Sequence, residues 1–114
     1  MTTDQPPVLA LDLKKKRIRI HKQTLHQLND PEYIQILVNP DKKIIAIRAC
    51  EKNALQAHKI SYVASKDCEL YSKGLLAQLA VVSPELTEGN TYRLNGIIHQ
   101  DRRIAVFYMD QKIK

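Results

Sequence analysis

Tryptophan is absent from this 114-residue chain, and its aromatic residues are limited to five Tyr and one Phe. The hydrophobic content is nevertheless 44%, so we expect a core built mainly from Ile, Leu and Val, which suit β-strands. The longest apolar runs, LLAQLAVV among them, are far shorter than the ~20 residues needed to cross a bilayer. The sequence therefore predicts a globular, mainly β protein with no membrane partner.

Glycine and cysteine are also scarce, which limits the chemistry available to the chain. Three Gly cannot form a glycine-rich phosphate loop, and neither G-x-S-x-G nor HExxH occurs. Cys50 and Cys68 belong to no CxxC pair, and the four His show no metal-ligand spacing, so zinc has no support. We expect both thiols to be reduced and partly buried. The sequence predicts no enzyme, no catalytic residue, no metal and no cofactor.

Positive charge is in excess, with eighteen Lys and Arg against twelve Asp and Glu and a net charge of +6. Its densest cluster is KKKRIR, from Lys14 to Arg19. This excess suits a polyanionic partner, although charged turns are common on solvated surfaces. The N-terminal MTTDQPP lacks the basic and apolar regions of a signal peptide, so we expect a cytoplasmic protein.

Hydrophobic alternation predicts four short strands and one helix in the first half of the chain. In VLALDL and RIRIH every second residue is apolar, which predicts a hairpin with Ile18 and Ile20 on one face and Arg17 and Arg19 on the other. KQTLHQL carries Leu25 and Leu28 at helical spacing. YIQILV and KIIAIRA then form a second hairpin around the turn NPDK.

The second half repeats this order. ELYSKGLLAQL matches IRIHKQTLHQL at an offset of fifty-one, and the turn QDRR matches PDKK at an offset of sixty. We predict a loose tail at 1–7, β-β-α-β-β units at 8–49 and 58–109, a connector at 50–57 and a tail at 110–114. One such unit is too small to fold alone, so the two units should pack as a single pseudo-twofold barrel.

LDLKKKRIRIHKQTLHQL followed by YIQILVNPDKKIIAIRA resembles the AbrB/MraZ family of swapped-hairpin transcription factors. The resemblance covers roughly residues 8–109, and MraZ-like chains carry two copies of the unit. It implies a swapped-hairpin-like barrel that binds double-stranded DNA through basic residues of each first hairpin and helix start. Carried over by position, the nucleic-acid-binding residues are Lys14, Lys15, Lys16, Arg17, Arg19, Lys66 and Lys73.

The chain departs from the family pattern where DNA is bound. Lys16 stands where the family has the glycine of the first turn, and Gln27 and Gln78 stand where it has the helix arginine. The corresponding turn of the second unit, SKD, contains only one basic residue. Two hypotheses follow: a DNA-binding transcriptional regulator, or a protein-interaction or assembly module that kept the fold without DNA binding. If Asp12, Asp67 and Glu69 interrupt the basic surface, the second is favoured. We also expect homo-oligomerisation, because a hairpin tip from each of two or more chains would double the contact.

Overall fold

A computed structural model describes residues 7–60, 68–71, 73–82 and 90–113. Within these residues the protein is mainly β, and its strands form one antiparallel sheet curled into a half-barrel. The elements, in chain order, are β1 (Val8–Asp12), β2 (Arg17–Ile20), α1 (Lys22–Gln27), β3 (Tyr33–Asn39), β4 (Ile44–Cys50), β5 (His58–Lys59), β6 (Cys68–Tyr71), α2 (Lys73–Val82), β7 (Thr91–His99), a 3₁₀ turn (Gln100–Arg102) and β8 (Ile104–Ile113).

The first hairpin, β1 and β2, has the two faces that its alternation predicts. Leu9 pairs with Ile20 and Leu11 with Ile18, and all four side chains are fully buried. Residues paired directly across two strands lie on the same face of a sheet. Arg17 and Arg19 therefore share the opposite face with Asp12.

Helix α1 is short, and its end is defined by backbone geometry and by an arginine from the second half. Leu25 and Leu28 are buried, as their spacing predicts. Asn29 adopts a left-handed φ of 65°, which lets the Asp30 N–H donate to the Leu25 carbonyl at 3.0 Å. The Arg103 guanidinium donates to the Leu28 carbonyl at 3.0 Å, so its charge also opposes the negative end of the helix dipole.

The remaining pairings join the two halves of the chain. The strand order is β5-β3-β4-β8-β7-β1-β2-β6, and all neighbouring strands in this order are antiparallel. Hairpin β1–β2 lies between β7 and β6, both from the second half, whereas β5 pairs with β3 from the first half. Strands β4 and β8 pair with each other and so join hairpin β3–β4 to hairpin β7–β8.

Two boundaries differ from the sequence-based prediction. Strand β8 continues to Ile113, where Arg93 pairs with Ile113, so the predicted tail at 110–114 is wrong as far as Ile113. Cys50 ends β4 instead of beginning the connector, and residues 51–57 form a series of turns. Strand β5 is limited to His58–Lys59, and the rest of the predicted hairpin at 61–67 lies outside the described residues.

Candidate nucleic-acid interface

The turn between β1 and β2 presents three exposed lysines, Lys14, Lys15 and Lys16, here called the lysine turn. The Lys15 N–H donates to Asp12 Oδ1 at 3.1 Å, which closes the turn. Lys16 has φ 54°, the left-handed conformation that glycine adopts most easily. Lysine therefore occupies a backbone conformation that glycine would adopt with less strain.

The two arginines that follow the lysine turn are held by carboxylates. Arg17 Nε lies 3.0 Å from Asp12 Oδ2, and Arg17 Nη1 lies 2.7 Å from Glu69 Oε2. The same Glu69 oxygen accepts a hydrogen bond from Arg19 Nη2 at 3.0 Å. We call Asp12, Arg17, Arg19 and Glu69 the ion-pair cluster.

Strand register places the members of the ion-pair cluster together. Asp12 is paired with Arg17 across β1 and β2, and Arg19 is paired with Glu69 across β2 and β6. Because paired residues lie on the same face, all four side chains meet on the outer face of the sheet. Glu69 is fifty residues from Arg19 in the chain, so only the β2–β6 pairing brings their charges into contact.

The cluster contains two positive and two negative charges, so it adds no net positive charge to the surface. The Asp12 and Arg17 side chains are each 13% exposed, whereas those of Arg19 and Glu69 are 38% and 34% exposed. Partial burial by itself would raise the pKa of Asp12, but the Lys15 N–H and the Arg17 guanidinium outweigh burial and lower that pKa. Asp12 is therefore a charged partner of Arg17 at neutral pH.

Substitution of Asp12 by Asn should remove part of the acid sensitivity of folding. A carboxyl group whose pKa is lowered in the folded state stabilises the protein above its unfolded pKa, and this stability is lost as the pH falls through the folded value. We expect Asp12→Asn to lower the free energy of unfolding at pH 7 and to lose less of it between pH 5 and pH 2 than the native chain. Urea denaturation across that range checks this, and parallel curves for the two proteins would contradict it.

The structure brings five of the seven predicted binding residues into one region. Lys14, Lys15 and Lys16 lie at the tip of the hairpin, and Arg17 and Arg19 lie beside it. Lys66 lies outside the described residues, as does Asp67. Lys73 begins α2, but its side chain is likewise outside the described part. Asp12 and Glu69 form direct ion pairs with Arg17 and Arg19, which is the kind of interruption that would favour the interaction hypothesis.

The cysteines and the possible metal ligands among the described residues do not form a second candidate site. Burial raises the pKa of the Cys68 thiol, and the smaller desolvation of Cys50 acts in the same direction. Both cysteines are free. In the ranges that the structure describes, no group of three or more His, Cys, Asp or Glu could hold a metal ion. The described helices also include none long and apolar enough to span a membrane.

Comparison with known proteins found none that is similar to this chain. No family model matches the chain, and neither the curated proteins nor the solved structures include a match.

One feature of the surface was missed by the sequence analysis. Leu37 and Ile97 are 40% and 50% exposed, on the outer face of the sheet. The signal was present in YIQILV and LNGIIH, where adjacent apolar residues break strict alternation and place one of them outside.

Proposed function

We propose that this protein is a non-enzymatic protein-interaction or assembly module built on a doubled AbrB/MraZ-like unit. The observation that carries the proposal is the ion-pair cluster, in which Arg17 and Arg19 both bind Glu69 Oε2. A DNA phosphate would have to compete with that carboxylate for the same guanidinium groups. The arginines that would read bases or grip phosphates are thus engaged within the protein.

The strand pairings support the doubled unit. If the elements of the first half are exchanged with those of the second, pairing β1–β7 becomes β5–β3, and hairpin β3–β4 becomes β7–β8. Pairings β2–β6 and β4–β8 are each exchanged with themselves. Such a pattern is expected of a pseudo-twofold barrel in which the first hairpin is exchanged between units, as the AbrB/MraZ resemblance implies.

Exposed apolar surface supports the interaction function. Soluble proteins commonly expose single hydrophobic residues, but a contiguous apolar area more often marks a contact site. Leu37 and Ile97 belong to one row of paired residues across four strands. A module that presents this row and neutralises its arginines is better equipped to bind protein than nucleic acid.

DNA binding through the lysine turn is the second candidate function. Lys14, Lys15 and Lys16 are exposed and project from the end of a hairpin, as phosphate-contacting residues do. Three lysines can support non-specific binding, which depends steeply on salt because bound counterions are released. Sequence reading in the major groove commonly requires arginine, and here both nearby arginines are paired.

Fluorescence anisotropy with random duplex DNA at 50 mM and 200 mM salt separates the two functions. We expect weak or no binding by the native chain. We expect Glu69→Gln to bind at least about five times more tightly at low salt, because the removal of one carboxylate leaves Arg17 and Arg19 to engage phosphates. Each added phosphate contact should steepen the logarithmic salt dependence by about 0.9.

Glu51→Gln is the matched control, because Glu51 is an exposed carboxylate that lies outside the ion-pair cluster. It makes the same change in net charge and should leave DNA affinity close to that of the native chain. Tight binding of the native protein at 50 mM salt that is lost at 200 mM would overturn the interaction module and establish DNA binding as its activity.

A further inference from the structure

An apolar row crosses the outer face of the sheet over four neighbouring strands. Leu37 of β3 is paired with Ala46 of β4, Ala46 with Val106 of β8, and Val106 with Ile97 of β7. The residues that flank this row in sequence point to the core, as the full burial of Ile45, Ile47 and Phe107 shows. We call these four residues, Leu37, Ala46, Val106 and Ile97, the outer apolar row.

The rows on either side are mixed, because Asn39 lies beside Ile44 in one row, and Gln35 and His99 lie at the two ends of the other. Ile44 pairs with Tyr108 beside one edge of the outer apolar row, and Arg48 pairs with Ile104 beside the other edge. Arg48 is the only charged side chain at these described positions, and its guanidinium binds Gln35 Oε1 at 2.5 Å. No carboxylate lies in this area of the described sheet.

The outer apolar row repeats itself about the centre of the sheet. Leu37 and Ile97 are sixty positions apart, as are Ala46 and Val106, which is the offset between the two matched turns. The β4–β8 pairing at the centre places Ala46 opposite Val106. The bulky, exposed residues thus lie at both ends of the row, with the buried Ala46 and the half-buried Val106 between them.

We propose that a second copy of this chain covers the outer apolar row, face to face, in a two-fold symmetric dimer. The proposal rests on the proposed function as an interaction module and names its partner. An isologous interface needs a surface complementary to itself. Because the outer apolar row is already pseudo-symmetric, a two-fold axis along the strands and one across them would each place the row of one copy over the row of the other. The two sheets would then be aligned as in a β-sandwich.

The charges around the face also suit a second copy. The basic turns that carry Lys42 and Arg102 lie at diagonally opposite corners, because each closes one hairpin and the hairpins run in opposite directions. Glu32 and Glu51, both exposed, flank the paired ends of β3 and β4 at a third corner. A two-fold rotation about either in-plane axis brings one basic turn of each copy over the acidic corner of the other, and the second basic turn over the fourth corner, where Arg93 is exposed.

The size of the face sets the expected strength. Four strands by five residues cover roughly 19 Å by roughly 17 Å. That footprint is well below the ~800 Å² that each partner buries in a standard stable interface. Any such dimer should therefore be weak, and its population should depend on concentration.

Sedimentation equilibrium between about 2 and 200 μM tests the dimer. We expect the native mass to rise from the 13.1 kDa of one chain toward twice that value. Leu37→Glu and Ile97→Glu should each weaken association at least about tenfold, because each places a carboxylate in an apolar contact. Leu37→Thr and Ile97→Thr, which retain a strand-forming residue, should weaken it less.

Leu55→Glu is the matched control, since Leu55 is 83% exposed and is not part of the outer apolar row. It should associate like the native chain, and circular dichroism would show that all variants are folded. A native chain that remains monomeric at 200 μM, or a dimer that Leu37→Glu and Ile97→Glu leave intact, would overturn the proposal. DNA anisotropy is a separate measurement. A native chain that stays monomeric and binds no DNA would contradict only the proposed dimer, whereas salt-sensitive DNA binding would contradict the proposed interaction function.

Discussion

Gly96→Ala should destabilise the protein by about 2–4 kcal/mol, because the position has no room for a Cβ atom. Gly96 lies in β7 where the register with β8 shifts, and it is paired with Phe107. A Cβ placed there would overlap the Val106 carbonyl oxygen and lie 2.6 Å from Phe107 Cδ1. Phe107 is fully buried, so it can move only by disturbing the core.

Urea denaturation of Gly96→Ala would measure this loss, with Gly74→Ala as the matched control. Gly74 lies in α2, and a Cβ there would meet nothing within 4 Å. Alanine should stabilise that helix by about 0.5–1 kcal/mol, because it loses less backbone freedom on folding than glycine. Equal effects of the two substitutions would show that β7 and β8 do not approach as closely at Gly96 as the structure has them.

Arg17→Gln should lower the free energy of unfolding by about 2 kcal/mol. Asp12 is 13% exposed at its side chain and would lose its cationic partner, while Glu69 would retain Arg19. Removal of one partner from a largely buried ion pair is costly, because the remaining charge stays desolvated without compensation. DNA affinity should change little, because Arg17 is already engaged by carboxylates.

Arg19→Gln provides the comparison for Arg17→Gln. The Arg19 side chain is 38% exposed, so its pair with Glu69 is screened by water and should contribute less than about 1 kcal/mol. Urea denaturation and DNA anisotropy on both variants measure stability and binding separately. An Arg17→Gln protein of native stability that has lost salt-sensitive DNA binding would mean that Arg17 acts on nucleic acid.

These two sets of variants connect the fold to the proposed function. The ion-pair cluster joins β1 and β2 to β6, so its arginines stabilise the contact between the two halves of the chain. Arg103 has a similar role, because it binds the carbonyl at the end of α1 from a turn of the second half. Basic residues whose sequence pattern suggests a nucleic-acid-binding surface thus stabilise contacts within the folded protein.

Most of the local structure could be predicted from short sequence patterns. Alternation identified the buried faces of β1 and β2, and the spacing of Leu25 and Leu28 identified α1. It also located α2 and the hairpin β7–β8. These features follow from short-range periodicity, because a strand or helix needs one apolar face whichever element covers that face.

The contacts of the charged residues and of the exposed apolar residues depend instead on how distant strands pair. The contact between Arg19 and Glu69 depends on which strand pairs with β2 and in which register, and a shift of one residue would turn Glu69 to the other face. The outer apolar row likewise exists only because β3, β4, β8 and β7 are aligned. β8 continues past residue 109 because β7 offers a partner for it. Pairing between distant strands is a property of the assembled sheet, so local sequence patterns do not encode it.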